Sequence, residues 1–412
     1  MSRHIIDGAR RCLLCKNPSC TRGCPVSTPI KEAIKLLLDC KVEQAGELLF
    51  SNNPLSLVCS YICQHENQCE GHCVLGKKGK PVQVSEIEKY ISDFYLNLFT
   101  PKKSEKNKGK IAVIGSGPAG IVVAFTLAAR DYDVTIFEGH DQIGGIMRYG
   151  MPEFRLPKNI LDRITKMLVA AGVAIRPNTV IGTTIVVDEL FRDGFQAVFM
   201  GTGVWRPLKL NIKGESLGHV HYAVDYLKNP DVYRLGKRVI VIGAGNVAMD
   251  VARTAIRHGS REVTILCRRG ASDMSARASE VEFAKFDGVR FEYFKVPIEI
   301  TDEGVIVVDS RKRTEQDGTE KLEVIAGTKR LLSANSVIIA ISQGPRALIV
   351  SSTEGIDVRK CGHVITNDVG HTTRDGVFAS GDVVTGAKTV ADAVKASRMV
   401  ADAIDKYVSS LN

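Results

Sequence analysis

Apolar residues recur at helical spacing in the first hundred residues of the chain. Within residues 28–50 they share one helix face: Ile30, Ala33, Ile34, Leu37 and Leu38. The same spacing recurs over residues 87–98, and it predicts amphipathic helices. A polar, lysine-rich run then covers residues 101–109. We therefore predict a helical domain over residues 1–100 and a linker over 101–109.

After the linker, short apolar runs separated by glycine-rich turns replace the helical pattern. Residues 110–114 are predicted to form a strand, followed by a turn, a helix to about residue 130 and a second strand over 133–138. The same order of strand, turn, helix and strand returns between residues 238 and 267. Such βαβ units build parallel sheets. Two copies in one chain indicate an α/β fold with two Rossmann-like domains.

The composition is that of a globular protein. The 412 residues are 44% hydrophobic and 25% charged, with a formal net charge of +9. The cations are scattered apart from the run over residues 102–110, which we interpret as a solvated linker, so we expect no nucleic-acid partner.

We expect neither a secretory signal nor a membrane span. No apolar stretch follows the charged N-terminal residues, as a signal peptide would require. The nineteen uncharged residues Ile111–Ala129 are long enough to cross a membrane. However, they contain several glycines and Pro118, which a nucleotide-binding turn explains better. We therefore predict a cytoplasmic protein.

Cysteine is the anomaly in the composition, because nine of the 11 cysteines lie within the first 73 residues. Eight of these form two groups of four: Cys12, Cys15, Cys20 and Cys24, and then Cys59, Cys63, Cys69 and Cys73. Without a secretory signal, such clustering favours metal ligation over disulfides. Thiolates this closely spaced can converge on an iron–sulfur cubane, and a last cysteine followed by proline is typical of one that serves the other cluster.

Zinc is the alternative metal. Zinc sites favour paired Cys-x2-Cys units, whereas only Cys12 and Cys15 have that spacing. We predict two [4Fe-4S] clusters, with zinc or reduced structural thiols as the open alternatives. Cys40 is predicted to be a buried thiol within a helix, and Cys267 and Cys361 to be core residues.

The first glycine-rich turn has the pattern of a dinucleotide-binding site. Between a predicted strand and a predicted helix lie Gly115, Gly117, Pro118, Ala119 and Gly120. Glycines there permit a tight turn, a close approach to a pyrophosphate and close helix–strand packing, while the helix N-terminus supplies N–H donors. Glu138 ends the next strand, where a carboxylate can accept hydrogen bonds from ribose hydroxyls.

Two further features favour FAD at this turn. Gly144 and Gly145 suit a close backbone approach to a flavin. Near the C-terminus, Gly381 and Asp382 follow a predicted strand, and in two-dinucleotide flavoenzymes such an aspartate binds the ribityl–pyrophosphate region. Because this segment has the features of a flavin-domain ending, we predict an FAD domain of residues 110–205 and 337–412. An NAD(P)H domain over 206–336 is then inserted in it.

The second turn is predicted to bind the nicotinamide coenzyme. Its residues are Gly243, Gly245, Asn246, Val247 and Ala248. Arg268 and Arg269 end the following strand, where NAD-selective folds place an acid. Since arginine pairs bidentately with a phosphate, we predict NADPH, with NADH possible. A solvated surface pair is the alternative for these arginines, and Arg277 is a weaker candidate for the same phosphate.

The order of these motifs resembles the glutamate synthase small-subunit family. The resemblance spans essentially the whole chain and rests on RCLLCKNPSCTRGCP, NNPLSLVCSYICQHENQCEGHC, VIGSGPAG, GGIMRYGMPEFRLPK, VIGAGNVAMDVAR and VFASGDV. That family includes the FAD subunit of bacterial dihydropyrimidine dehydrogenase and the large subunit of NADH-dependent ferredoxin:NADP oxidoreductase.

The resemblance also implies a set of cluster ligands. In the family, a Gln or Glu beyond the last cysteine completes one cluster. This implies Cys12, Cys15, Cys20 and Glu88 for one cluster, and Cys24, Cys63, Cys69 and Cys73 for the other. Cys59 would then be a spare thiol, whereas counting alone uses eight cysteines and leaves Glu88 on a helix face.

The function implied is that of an electron-transfer subunit in a hetero-oligomer. It would take electrons from NAD(P)H and pass them through FAD and the clusters to a redox partner, such as a glutamate synthase large subunit. We assign no catalytic acid or base, because the cofactors carry the reaction. The alternatives are the FAD subunit of an NADH-dependent dihydropyrimidine dehydrogenase with an FMN-containing partner, a subunit of an electron-bifurcating transhydrogenase, and a redox-sensing or assembly protein.

Overall fold

The computed structural model describes residues 3–314 and 319–411. The chain divides into two compact units. The first unit comprises Met1–Met147, Glu153–Val204 and Gly344–Asn412, and the second comprises Arg148–Pro152 and Trp205–Gln343. The second unit is therefore inserted in the first, as the sequence predicted. Among the described residues, no helix has both the length and the apolar character needed to cross a membrane.

The N-terminal part of the first unit is helical. Its helices are α1 (Arg3–Arg10), α2 (Ser19–Gly23), α3 (Ile30–Leu38), α4 (Val42–Asn52), α5 (Ser56–Ile62) and α6 (Val84–Leu98), with a short 3-10 helix over Val74–Lys77. The apolar stripe of α3 is buried and packs with residues of α1, α4 and α6 in one core. The interpretation of Cys40 was wrong, because it lies between α3 and α4. There it is exposed and has a φ of +59°, a conformation that ends a helix.

The remainder of the first unit is built around a five-stranded parallel sheet. Along the chain its elements are β1 (Lys110–Ile114), α7 (Pro118–Ala128), β2 (Asp133–Phe137), α8 (Ile146–Tyr149), α9 (Lys158–Ala170), β3 (Ala174–Arg176), α10 (Val187–Arg192) and β4 (Phe195–Met200). Helix α8 spans the division between the units.

The second unit holds its own five-stranded parallel sheet. Its elements are β5 (Arg206–Pro207), β6 (Val220–Tyr222), α11 (Ala223–Lys228), β7 (Arg238–Ile242), α12 (Asn246–Arg257), β8 (Glu262–Cys267), α13 (Ala278–Phe286), β9 (Arg290–Tyr293), β10 (Lys295–Thr301), β11 (Gly304–Thr314), β12 (Glu320–Val324), β13 (Arg330–Ser333) and β14 (Ser336–Ile339), with 3-10 turns at Pro230–Val232 and Ala271–Asp273. Strands β10 to β13 form a separate antiparallel sheet.

The chain then returns to the first unit. The last elements are β15 (Gln343–Gly344), α14 (Leu348–Ser351), β16 (Val377–Ala379), α15 (Asp382–Thr385) and α16 (Val390–Leu411). The boundary predicted at residue 337 falls too early, because β14 pairs with β7 and β6 in the second sheet. The second unit consequently extends to Gln343.

Both parallel sheets reverse strand order beside their first strand. The order is β16-β4-β1-β2-β3 in the first sheet and β6-β14-β7-β8-β9 in the second. The chain moves outward from β1 to β3 and then crosses to β4 on the other side, and it does the same from β7 to β9 and then β14. Ligands of open α/β sheets bind at the carboxyl ends of the strands at such switch points.

Candidate functional site

In the first unit, the glycine-rich turn lies at the switch point between β1 and β4. Gly115 has a φ of +93°, and a Cβ there would lie 2.7 Å from the carbonyl oxygen of Gly201, which follows β4. A Cβ on Gly120 would lie 1.9 Å from the carbonyl oxygen of Gly115. Neither position can carry a side chain. The backbone N–H groups at the start of α7 stay our predicted site for a pyrophosphate.

Glu138 is buried beside this turn. Its Oε2 accepts hydrogen bonds from the backbone N–H of Ser116, at 2.9 Å, and from the Ser116 hydroxyl. Its Oε1 accepts from the backbone N–H of His140 at 2.8 Å and lies 2.8 Å from Nδ1 of the same residue. Burial alone would raise the pKa of Glu138, but these hydrogen bonds outweigh it and hold the pKa below its ordinary value. The carboxylate is therefore kept ionised and fixed in orientation.

Three glycines and one aspartate complete the surroundings of the first turn. The backbone N–H of Gly144 donates to the carbonyl of Ser116 at 3.0 Å, and a Cβ on Gly145 would lie 2.7 Å from Cα of Gly117. From the C-terminal segment, Gly381 lies so close to Ala119 that a Cβ there would be 3.3 Å from the alanine methyl. Asp382 follows, and burial raises its pKa to about 6. The structure thus brings together segments that are distant in sequence.

In the second unit, the second turn repeats this arrangement. Gly243 has a φ of +150°, and a Cβ there would lie 2.3 Å from the carbonyl oxygen of Ala340, which follows β14. Two hydrogen bonds hold the segment before α13 over the turn. The backbone N–H of Ala276 donates to the carbonyl of Ala244 at 3.1 Å, and that of Arg277 donates to Oδ1 of Asn246 at 2.9 Å. Arg277 is therefore attached to the nucleotide-binding turn.

The residues after β8 differ from those after β2. Phe137 pairs with Ile114 in the first sheet, and Leu266 pairs with Ile242 in the second. In this register Cys267 stands where Glu138 stands in the first unit. Arg268 and Arg269 come next, and both are exposed.

The two arginines differ in their surroundings. A hydrogen bond from Lys312 is the main cause that lowers the pKa of Asp273, and the nearby Arg269 guanidinium lowers it further. The Nζ of Lys312 lies 2.6 Å from Oδ1 of Asp273. Arg269 therefore lies near a carboxylate, which would compete with a phosphate for this guanidinium.

In the N-terminal helices, four thiols gather around one cavity in the first unit. Its lining includes Cys12, Cys15, Cys20 and Cys73, together with the apolar residues Leu13, Ile34 and Val74. Burial raises the pKa of Cys12 and of Cys20, and the neighbouring Cys73 thiol raises both further. We call these four cysteines the first thiol set. Four thiols around a cavity are a fitting donor set for a [4Fe-4S] cluster.

The second set consists of Glu88 and the three cysteines near it, Cys24, Cys63 and Cys69. Burial raises the pKa of Cys24 and of Cys69, and the Glu88 carboxylate raises both further. The pKa of Cys63 is raised by its hydrogen bond to Cys59, then by burial and by the charges of Glu88 and Cys24. The four side chains are therefore neighbours, with Cys59 beside Cys63.

Glu88 is an unusual residue for a helix interior face. Burial raises its pKa to about 8, and among the described residues no cation forms a salt bridge with it. A buried carboxylate without a cation is costly, and a metal cluster would compensate it. In contrast, Cys59 already accepts a hydrogen bond from Nδ2 of Asn53 at 3.3 Å. Over residues 3–314 and 319–411, no three His, Cys, Asp or Glu side chains are close enough together to hold a single metal ion.

The pairing of Glu88 with the first three cysteines, which the resemblance implied, is wrong in this structure. Cys73 precedes the 3-10 helix that lines the first cavity, so it joins Cys12, Cys15 and Cys20. Ser92, one turn after Glu88, donates to Ser56 of α5 at 2.9 Å. Glu88 therefore faces α5, which ends directly before Cys63.

The two isolated cysteines of the later chain differ from each other. Cys267 is buried, which confirms its prediction as a core residue. Cys361 is exposed and was wrongly predicted to be in the core. Its Sγ lies 2.8 Å from Nδ1 of His363.

The helical part of the first unit contacts its flavin-binding part. Nδ2 of Asn52 donates to the carbonyl of Val26 at 3.3 Å, and Nη1 of Arg398 on α16 donates to Oδ1 of Asn52 at 3.0 Å. Phe50 packs edge-on against Phe125 of α7, with ring centroids 5.6 Å apart. Val26 is two residues beyond Cys24, so the second set is the one joined to this contact.

Several supporting residues carried no signal in the sequence. Ser116 and His140 fix Glu138, and the hydroxyl of Thr28 lies 3.2 Å from Sγ of Cys24. Each is an ordinary polar residue whose role depends on a fold contact. Only the position of Ser116 inside the glycine motif could have singled one of them out.

Two family models match the chain. Residues 109–399 match the pyridine nucleotide-disulphide oxidoreductase family, and residues 1–98 match dihydropyrimidine dehydrogenase domain II, 4Fe-4S cluster. These matches confirm the predicted cofactor classes, namely FAD, a nicotinamide dinucleotide and [4Fe-4S] iron–sulfur.

The similarity to three relatives extends over nearly the whole chain. The glutamate synthase [NADPH] small chain of Escherichia coli (strain K12) is 31% identical over 97% of this chain and 90% of its own length. That of Azospirillum brasilense is 33% identical over 98% and 89%. The NAD-dependent dihydropyrimidine dehydrogenase subunit PreT of Salmonella typhimurium is 31% identical over 98% and 94%.

A solved structure shares the fold of most of the chain. FprA of Mycobacterium tuberculosis in complex with NADPH has a TM-score of 0.63 and 21% identity, over 73% of this chain and 85% of that chain.

Proposed function

Because the chain belongs to the glutamate synthase small-subunit family, we propose that it is the NADPH-oxidising subunit of a larger electron-transfer enzyme. It is a flavin-dependent oxidoreductase with a 4Fe-4S domain. The relatives named as small chains or subunits support a partner subunit, with a glutamate synthase large subunit as the first candidate. A reducing compartment such as the cytoplasm suits eleven unpaired cysteines.

The observation that carries the proposal is the separation of the ligands into two sets within one helical region. We assign one [4Fe-4S] cluster to Cys12, Cys15, Cys20 and Cys73. We assign the other to Cys24, Cys63, Cys69 and Glu88. Two clusters in series are useful only when electrons leave the chain, because a flavin that served a substrate directly would need neither.

The nucleotide assignments follow from the residues beside each turn. Glu138, Gly144, Gly145, Gly381 and Asp382 surround the first turn and are assigned to FAD. The second turn is assigned to NADPH, with Arg268 as the principal contact of the 2′-phosphate. A guanidinium there can recognise a phosphate, and the glutamate synthase small chains of Escherichia coli and Azospirillum brasilense are named for NADPH.

When bound, the cofactors would supply the chemistry, which is hydride transfer from the nicotinamide to FAD and the release of the two electrons one at a time. The chain holds the two nucleotides by backbone N–H groups and fixed charges. It also buries Cys69 and partly buries Cys24 and Cys63, which limits the access of water to these thiols.

The contact between the helical part and the flavin-binding part of the first unit supports an order in which electrons pass through the two cluster sites. Asn52 links Val26, close to Cys24, with Arg398 on α16. This supports the second set as the one nearer the flavin, and the first set as the more distant. The first set adjoins exposed residues and is therefore proposed as the exit.

A pyrimidine-reducing subunit is the second candidate, because the Salmonella relative is 31% identical over 98% of the chain. Coenzyme choice separates the two, since that relative is named NAD-dependent. Two exposed arginines after β8 favour NADPH.

The ligand assignment is tested on anaerobically purified protein. We expect roughly eight iron and eight acid-labile sulfide per chain, as two [4Fe-4S] clusters require. Glu88→Ala should lose close to half of both, whereas Cys59→Ala should keep them. A protein with about two zinc ions and no sulfide, or a Cys59→Ala variant that loses a cluster while Glu88→Ala keeps both, would contradict the assignment.

A further inference from the structure

The first thiol set adjoins an exposed apolar surface. Leu13 lies between two of its cysteines and its exposed fraction is 62%, while Leu14 and Val74 are also exposed, at 39% and 38%. Leu13 and Val74 line the same cavity as the four thiols. We call Leu13, Leu14 and Val74 the exit surface. Exposed apolar residues grouped around one site are typical of a contact surface.

The segments that form this region are strongly basic. Residues 3–31 and 73–82 contain nine Lys or Arg residues and a single carboxylate, Asp7. Lys16, Arg22, Lys77 and Lys78 are exposed. Oδ1 of Asp7 lies 3.7 Å from Nη1 of Arg10. Asp7 therefore neutralises only one of the nine cations.

These cations are tied to the cavity by structure as well as by sequence. Nη2 of Arg22 donates to the hydroxyl of Ser19 at 3.1 Å, and Ser19 lines the cavity. Lys77 ends the 3-10 helix that begins at Val74. Nη1 of Arg11 donates to the carbonyl of Pro81 at 3.2 Å and so joins the two basic segments. The exit surface therefore has a basic rim.

The second set has carboxylates close to its ligands. The carboxylates of Glu70 and Glu88 lie near Cys69, although burial is the main cause of the raised pKa of that thiol. Cys69 of this set is buried in the core, whereas each of the four cysteines of the first set is partly exposed. Leu13 and Val74 of the exit surface, in contrast, line the cavity of the first set and are exposed.

We propose that the exit surface docks an electron-accepting protein whose redox centre is surrounded by carboxylates. An apolar centre with a charged rim is the usual anatomy of a transient protein interface, and opposite charges on the two rims increase the association rate and set the orientation. The inference rests on the proposed function, because it takes the first thiol set as the place where electrons leave.

A membrane surface or a nucleic acid would also attract the lysines and arginines of the basic rim. Neither of them, however, would accept the electrons that leave the first set. The basic rim surrounds the thiol set, not a helix face or an extended groove. This location favours a redox protein as the occupant.

The test uses an acidic plant-type [2Fe-2S] ferredoxin as the probe and the full-length, cluster-loaded chain. Titration calorimetry at about 20 mM salt measures the Kd of the oxidised proteins, so no turnover is needed. Lys77→Glu/Lys78→Glu should weaken binding about 10-fold or more, and about 0.5 M salt should weaken binding of the unchanged protein similarly. The control, Lys209→Glu/Lys406→Glu, makes the same change in net charge with exposed lysines outside the two segments, and should change Kd less than twofold.

Iron content and NADPH-driven reduction of a small neutral dye separate the possible failures. If the dye is not reduced by any form, the proposed function fails. If all forms reduce the dye and the two double variants bind ferredoxin equally, the docking inference is overturned. It is also overturned if basic cytochrome c binds more tightly than ferredoxin, or if phosphatidylserine vesicles or duplex DNA bind the exit surface while ferredoxin does not. Lys16→Glu provides a second, independent variant with the same expected direction.

Discussion

At the end of β1 the backbone of Gly115 lies against the carbonyl of Gly201, and at the end of β7 that of Gly243 lies against the carbonyl of Ala340. The hydrogen bonds around the two turns also correspond, since Gly115 donates to Phe137 and Gly243 donates to Leu266. The two units therefore share one backbone device for approaching a pyrophosphate. This device identifies the class of ligand, a dinucleotide, without identifying which dinucleotide it is.

The two units differ beyond the turn. The third motif position is Gly120 in the first unit and Ala248 in the second. After the next strand, the first unit has the buried and ionised Glu138, whereas the second has the uncharged Cys267 followed by Arg268. We therefore infer that the side chains that follow β2 and β8 determine which dinucleotide each unit binds. A carboxylate suits free ribose hydroxyls, and a guanidinium suits a 2′-phosphate.

The largest effect is expected from Gly120→Ala, with Ala248→Gly as the matched exchange. A Cβ at position 120 would lie 1.9 Å from a carbonyl oxygen, so the turn must shift. Overpacking of this kind costs roughly 3 kcal/mol, or about 100-fold in FAD affinity. Ala248→Gly should cost only about 1 kcal/mol of stability and leave FAD bound. Flavin content after desalting measures both. Equal flavin contents in the two variants would contradict the assignment of FAD to the first turn alone.

The next effect concerns Arg268→Ala. Losing a charge-assisted pair with the 2′-phosphate costs about 1.5–3 kcal/mol, so kcat/KM for NADPH should fall roughly 10- to 100-fold. The value for NADH should barely change, because NADH lacks the phosphate. Steady-state rates with an artificial acceptor measure both. A variant that is unaltered towards both coenzymes would show that Arg268 is a surface residue.

A smaller effect is expected from Arg269→Ala. This arginine is exposed. Its charge lowers the pKa of Asp273, which already forms an ion pair with Lys312. Exposed pairs contribute about 0.2–1 kcal/mol, so kcat/KM for NADPH should fall no more than about 5-fold. If Arg269→Ala proves more damaging than Arg268→Ala, the order of the two arginines is reversed.

The smallest effect concerns the pH dependence of stability in the first unit. Burial raises the pKa of Asp382 to about 6, above the ordinary value of about 3.9 for an unfolded chain. Between these values the folded state binds more protons, so this residue's contribution to stability is lost as the pH rises through about 4 to 6. Flavin-free Asp382→Asn should therefore be about 1–2 kcal/mol more stable than the unchanged protein at pH 7.5.

Urea unfolding at pH 5 and pH 7.5 measures this difference. The gain in Asp382→Asn should be smaller at pH 5. The exposed Asp368 provides the control, and Asp368→Asn should show no such dependence. A gain that is equal at both pH values would mean that the substitution acts through packing and not through charge.

Much of this architecture follows from the sequence, because local patterns determine it. The strands β1 and β7 are short apolar runs before glycines that no other residue can replace, so both nucleotide turns were predicted. The joint order of motifs led to the correct family. The ends of the second unit were harder to predict from the sequence. Strand β14 joins the second sheet by pairing with β7, and the paired residues are about a hundred positions apart.

The cluster ligands show the same limit more sharply. Cysteine spacing located all the thiols, but not which of them are neighbours. Cys69 and Cys73 are four residues apart and belong to different sets, because the chain between them passes from one site to the other. Glu88 joins the second set through the packing of α6 on α5, and no spacing rule shows this. Similarly, the helical pattern around Cys40 is continuous in the sequence, but the structure ends α3 at Leu38 and begins α4 at Val42, with Cys40 at a positive φ between them.

The most direct test of the account is the rate at which each coenzyme reduces the flavin of the unchanged protein. The anaerobic, FAD-loaded chain is mixed rapidly with limiting NADPH or NADH, and the flavin absorbance near 450 nm is followed. No partner or acceptor is needed. The account predicts rapid bleaching with NADPH and a second-order rate at least about 10-fold lower with NADH, since only NADPH presents a phosphate to Arg268. Equal rates, faster bleaching with NADH, or no bleaching with either coenzyme would contradict it.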